Sequence, residues 1–211
     1  MPPLWTWYIG LWTQKMDWKK EIKSWGIMLS LIAFLYFTGL LPVVIGGIQS
    51  VILSTGLIKP KLEIPDLTDK QFDYRGKFLT FDGQQIDLES YRGKTLFINL
   101  WASWCGPCRA EMPHISELYK SVQQEPGLEF LMIGIDNDIE KSRDFLDGKS
   151  WTFPTAHASF GLNQSLQSQS IPTTLVVNPA GKIVFYQEGM SNFNTDEFRD
   201  FLLGQTKPQG K

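Results

Sequence analysis

Cysteine and histidine are scarce in this chain of 211 residues, with two of each. Two cysteines cannot staple a disulfide-dense mini-fold. They also supply only half of a four-ligand zinc site, with His114 and His157 as the only histidines to complete it. A basic excess is missing too: 20 Lys and Arg stand against 22 Asp and Glu, a formal net charge of −2. Nucleic-acid binding driven by counterion release is therefore not expected. There is no internal repeat and no low-complexity tract, and 43% hydrophobic with 20% charged residues is not the composition of a disordered chain. One further absence is local. Residues 24–58 contain no Asp, Glu, Lys, Arg or His.

That charge-free run divides the chain into parts suited to different solvents. Residues 1–59 carry five lysines and two acids, whereas residues 60–211 carry 15 basic and 20 acidic side chains. The 21 residues 25–45 would span roughly 31 Å as a helix, close to the roughly 30 Å of a bilayer core. A buried core helix is the soluble alternative, but such helices seldom run so long without a charge. The run is too long for a signal peptide and lacks a small-x-small cleavage site, its only alanine being Ala33 at mid-span. The expectation is an uncleaved anchor over residues 25–48, a single transmembrane helix. Lys15, Lys19, Lys20 and Lys23 precede it, which keeps the N-terminus cytoplasmic and exports the chain beyond about residue 50. Five of the eight tryptophans fall in residues 1–25, suiting an interfacial belt. Residues 1–24 are expected as a cytoplasmic N-terminal segment, its first 20 residues either lying along the inner surface as an amphipathic helix or loose. Pro42 and Gly46-Gly47 interrupt the run, so a re-entrant hairpin turning near residues 39–42 is the alternative, with arms short for a helical span. A tether is expected over residues 49–65, then a folded domain over residues 66–206 and a short tail, 207–211.

The domain alternates strands and helices early and ends on a hairpin. Residues 77–88 read as a hairpin around Asp82-Gly83. Thr95–Trp101 and residues 128–135 are apolar runs of strand length, as expected of central strands covered on both faces. Helical patterns cover residues 107–124 and 139–146. Strands are expected at 172–177 and 183–187, joined by the turn Asn178-Pro179-Ala180-Gly181. A last helix runs over residues 194–203, capped by Asn194 or Thr195.

Between the first buried strand and its helix lies Trp104-Cys105-Gly106-Pro107-Cys108. A cysteine at a helix N-terminus faces unpaired N–H groups and the positive end of the dipole, which stabilise a thiolate. Two intervening residues bring the second sulfur within bonding distance, and Pro107 suits a first turn. Cys105 is then the attacking thiolate and Cys108, one turn further in, the resolving one. A lone C-x-x-C is a weak signal, but Gly-Pro, Trp104 and the strand-before, helix-after context point to dithiol–disulfide chemistry. His114 and His157 read as surface or packing residues.

Residues 101–113 resemble the active-site motif of the thioredoxin superfamily. The stretch 81–113 is similar to its membrane-anchored extracytoplasmic branch, typified by TlpA, ResA and CcmG. A Gly-containing hairpin, the step from Leu88 to Gly93-Lys94, a strand and W-C-x-P-C-x-x-E-x-P occur in that branch's order. Ser170-Ile171-Pro172-Thr173-Thr174 resembles its cis-proline loop. The resemblance covers about residues 62–204. It implies an α/β thioredoxin fold, a central mixed sheet flanked by helices, with an N-terminal hairpin and an extra βα unit at about residues 128–149. It also implies that Cys105, Cys108, Glu111 and Pro172 carry the chemistry, and that Trp104, Gly106, Pro107, Ile171 and Thr173 meet the substrate. Cytosolic thioredoxins carry a buried Asp where this chain has Asn99; in the branch it resembles, an acid at the position of Glu111 is thought to act on the thiols instead. Read from residues alone, a solvated helix acid is the alternative for Glu111.

The function so implied is a membrane-anchored thiol–disulfide oxidoreductase, with its C-terminal domain on the periplasmic side. It would reduce selected protein disulfides, such as the haem-attachment cysteines of apocytochromes c. No metal and no organic cofactor is implied, the Cys105–Cys108 disulfide being itself the redox group. The partners are protein thiols and disulfides and a separate transmembrane electron donor of the DsbD or CcdA kind, because the anchor holds no cysteine. A disulfide-forming oxidant on the same fold is the alternative direction. A peroxiredoxin would need Pro and Thr where residues 98 and 102 are Ile and Ala, and a Sco-type copper module would need three residues between its cysteines.

Overall fold

A computed structural model describes residues 18–38, 40–55, 58–60, 62 and 70–206. The expectations for residues 1–17 and 207–211, and for residues 56–57, 61 and 63–65 of the tether, fall outside these; the tether's start, expected at residue 49, is helical as far as Ser54. The chain divides into two units, Met1–Val43 and Val44–Lys211.

The first unit contains α1 (Trp18–Phe37), and α2 (Leu41–Ser54) begins just before the unit boundary. The single span expected over residues 25–48 is therefore two helices. Two features of the sequence account for this. Lys19, Lys20, Glu21 and Lys23 fall within the start of α1, leaving 14 charge-free residues, about 21 Å of helix. The helix then ends before Pro42, which cannot donate to a continuing helical ladder but sits without cost in the first turn of α2. Thr38 Oγ1 donates to Phe34 O at 2.8 Å and closes the last turn of α1. Among the described residues no helix is long and apolar enough to cross a membrane.

The second unit is built on one seven-stranded sheet of order β2-β1-β5-β4-β3-β6-β7. The strands are β1 (Lys77–Leu79), β2 (Gln85–Asp87), β3 (Thr95–Trp101), β4 (Leu128–Gly134), β5 (Thr155–His157), β6 (Thr173–Val177) and β7 (Ile183–Glu188). β3, β4 and β5 are parallel, and the other pairings are antiparallel, so the sheet is mixed as expected. Beyond α2, most of which lies in this unit, the α-helices among its described residues are α3 (Gly106–Val122), α4 (Ile139–Leu146) and α5 (Asp196–Thr206).

All seven residues of β3 are buried. Their side chains alternate between two apolar cores. Phe97 and Trp101 join the core that contains Cys105, Cys108, Met112, Phe193 and Phe198, whereas Leu96, Ile98 and Leu100 join the other. The period of two puts Asn99 on the face of Phe97 and Trp101, toward the cysteines. The hairpin turn has Gly83 at φ +87°, a left-handed conformation that favours glycine. β6 starts at Thr173 rather than Pro172, which has no N–H for the ladder. α5 is capped by Thr195 Oγ1, which accepts from Phe198 N at 3.2 Å. β5 was not expected, because three residues are too few to show a period.

Candidate active site

The end of β3 feeds the loop 102–104, and the chain then turns into α3. Cys105 is the N-cap of α3, with extended backbone at φ −80° and ψ 103°. Its Sγ accepts from the Cys108 backbone N–H at 3.2 Å, the capping role usually taken by a hydroxyl or carboxylate. Pro107 lies in the first turn. The two sulfurs are bonded at 2.06 Å, as the spacing led one to expect. Cys105 is 4% exposed and Cys108 fully buried, whereas Trp104 beside them is 66% exposed. Gly106 and Pro107 are half-buried.

The Ile171–Pro172 peptide is cis, and the Ile171 carbonyl oxygen lies 3.8 Å from Cys105 Sγ. The loop that resembled the cis-proline loop is therefore against the sulfurs. It is held from behind: Gly189 N donates to Pro172 O at 2.8 Å, and the buried Thr173 hydroxyl donates to Ser170 O at 2.6 Å.

Glu111 is fully buried, which excludes the reading as a solvated helix acid. It lies three residues after Cys108 on α3, so the two share a helix face. Asn99 Nδ2 donates to its Oε1 at 2.6 Å, and Ser191 N donates to its Oε2 at 3.2 Å. Burial raises the Glu111 carboxyl to about 8, against the opposing pull of those two donors. Asn99 Nδ2 also donates to Thr174 Oγ1 at 2.9 Å, so strand β6, helix α3 and the loop after β7 meet at one buried polar node. A carboxyl titrating near neutrality on the face of Cys108 can take or return a proton during thiol–disulfide exchange.

Sequence reasoning missed a second node. Asp136, after β4, is buried and accepts from Ser103 N at 2.9 Å, Ser103 Oγ at 2.8 Å and Ser142 Oγ at 2.5 Å. Its own carbonyl oxygen lies 2.8 Å from His157 Nε2. His157 is thus a buried packing residue, as expected, and Asp136 fixes the loop that delivers Trp104 and Cys105. An acid directly after an apolar strand was the available signal.

Similarity to known proteins agrees with this geometry. The AhpC/TSA family matches residues 61–186, more than half of the chain. The chain is 29% identical over 153 residues to the thiol-disulfide oxidoreductase ResA of Oceanobacillus iheyensis, covering 71% of this chain and 78% of that protein. It is 30% identical over 124 residues to ResA of Halalkalibacterium halodurans, covering 57% and 69%. Among solved structures, a putative thiol:disulfide interchange protein DsbE from Chlorobium tepidum superimposes with a TM-score of 0.56 at 20% identity, covering 65% of this chain and 99% of that one. That likeness shows the fold.

Proposed function

We propose, from the premise that the chain belongs to the AhpC/TSA family of the thioredoxin superfamily, that it is a membrane-tethered thiol–disulfide oxidoreductase reducing protein disulfides outside the cytoplasmic membrane. The observation that carries the enzymatic reading is the bonded Cys105–Cys108 pair at the start of α3, with Cys105 facing the carbonyl of a cis-proline loop. The helix N-terminus stabilises the Cys105 thiolate. That thiolate attacks one sulfur of a substrate disulfide, forming a mixed disulfide and expelling the other substrate sulfur as a thiolate. Cys108, deprotonated with help from Glu111, then attacks Cys105 Sγ. The second substrate sulfur leaves, the substrate holds two thiols, and the protein holds the Cys105–Cys108 disulfide.

The reducing direction, the anchor and the partners complete the proposal. The lysines before residue 24 and the charge-free run after it support retention of the N-terminus in the cytoplasm. Both cysteines of the chain are used in the site, so electrons must come from another protein, a transmembrane donor. The disulfides formed by the haem-attachment cysteines of apocytochromes c are the proposed substrates, by resemblance to the branch. The test is reduction of insulin disulfides by dithiothreitol in the presence of the full chain in mild detergent. Wild-type protein should accelerate it and Cys105→Ser should leave the uncatalysed rate. Equal rates with both proteins would refute the enzymatic reading.

A further inference from the structure

Cys105 must be reached by a substrate sulfur, yet only 4% of it is exposed. Part of the chain's own N-terminal side lies over this face. A Cβ built on Gly106, between the cysteines, would lie 3.6 Å from Gln49 Oε1 on α2. One turn further along α2, Leu53 is fully buried. Its carbonyl is one of the last four of the helix, which have no partner within it. Asn192 Nδ2 donates to that Leu53 oxygen at 3.1 Å, and the Asn192 backbone N–H donates to Ile58 O at 3.0 Å.

Asn192 is set up to make both bonds. Its Oδ1 accepts from Asn194 N at 3.0 Å, which fixes the amide with its nitrogen toward Leu53. Its neighbour Ser191 donates to Glu111, and Phe193 packs in the core that holds both cysteines. The loop is therefore tied to the core that holds the sulfurs. Both acceptors it serves are main-chain carbonyls, so its recognition is blind to side-chain identity. The covering segment is uncharged and not fully matched to its site, since Gln49 Oε1 is buried without a hydrogen-bond partner. Displacement would return that oxygen to water.

We propose that the Asn192 loop and Gly106 form a docking groove for the main chain of an uncharged, apolar substrate segment, and that the end of α2 from Gln49 to Leu53, together with Ile58, occupies it as a displaceable cover. The proposal rests on the thiol–disulfide reading of the same site. A substrate segment presenting two free carbonyls takes the place of Leu53 O and Ile58 O, uncovers Cys105 and brings its disulfide to it in one event. The cover leaves Cys105 closed to thiols that have no such segment.

Two variants of the full chain in mild detergent test this: Leu53→Ser, which weakens the cover, and Asn192→Asp, which is isosteric, keeps the acceptor for Asn194 N and removes the side-chain donor. The first readout is the alkylation rate of Cys105 in reduced protein by iodoacetamide. Both variants should react roughly tenfold faster than wild type, the factor that about 1.4 kcal/mol corresponds to. The second is equilibrium binding of an apolar, cysteine-free peptide to the oxidised protein. Leu53→Ser should bind it more tightly than wild type, and Asn192→Asp more weakly than Leu53→Ser by roughly tenfold. Alkylation of both variants at the wild-type rate would overturn the cover. Equal peptide binding by the two variants would overturn the groove, leaving Asn192 as a helix-capping residue only. Neither readout needs turnover, so an absence of disulfide reduction would count against the enzymatic reading, while these two measurements still decide the groove.

Discussion

Glu111 carries the pH dependence of the site. Buried in the folded protein, its carboxyl titrates at about 8, against an ordinary value of 4.5. The folded state therefore binds this proton more tightly than the unfolded chain does. The associated stability is fully present below pH 4.5, falls as pH rises through the interval up to about 8, and is gone above it. Denaturant unfolding of the oxidised protein across that range should show a loss on the order of a few kcal/mol. In Glu111→Gln that slope should vanish, although one of the two donors on residue 111 then faces an amide nitrogen. Parallel pH curves for the two proteins would mean that Glu111 does not titrate in this interval. The same residue marks the limit of what the sequence disclosed. Cys105, Gly106, Pro107 and Cys108 announce themselves because their chemistry depends on adjacent positions. The burial of Glu111 does not, because its partners come from Asn99, 12 residues earlier, and Ser191, 80 residues later. No local pattern contains such a node.

Elements were legible in proportion to their length and regularity. β3 and β4 are apolar runs and were expected within a residue of where they stand, and Pro107 with the break after residue 124 framed α3. β5 was invisible because its three residues are defined by pairing with β1 and β4. The charge-free run misled in another way: hydropathy reports apolarity, not continuity, and Pro42 divides the run into two helices. The loop between β3 and α3 depends on an element far from it. Asp136, between β4 and α4, takes three donors from Ser103 and Ser142. Asp136→Ala would leave these donors without their acceptor and should cost about 2–4 kcal/mol of stability, read from the shift in denaturant midpoint. A loss under about 1 kcal/mol would show that the loop holds its place without this carboxylate.

At the scale of the whole molecule the two units divide the work. The second holds every residue of the proposed chemistry, and α1 in the first leaves Ile22, Trp25, Leu29, Phe34 and Phe37 exposed. Such side chains are at home in lipid, which supports the proposed anchor. On the proposed topology, in which the lysines retain the N-terminus inside and the domain is exported, alkaline phosphatase fused after Lys211 should be active in cells. An inactive fusion, with a fluorescent cytoplasmic reporter at the same point, would instead place the domain inside and favour the re-entrant hairpin expected to turn near residues 39–42. The two sulfurs divide the work of exchange, and trapping the mixed disulfide tests that division. Reduced Cys108→Ser, mixed with a protein disulfide, should accumulate a one-to-one covalent adduct through Cys105. Wild-type protein should pass through that adduct and end with its own disulfide and a reduced substrate, and Cys105→Ser should form almost none. An adduct confined to Cys105→Ser, or no adduct with either variant, would contradict the account.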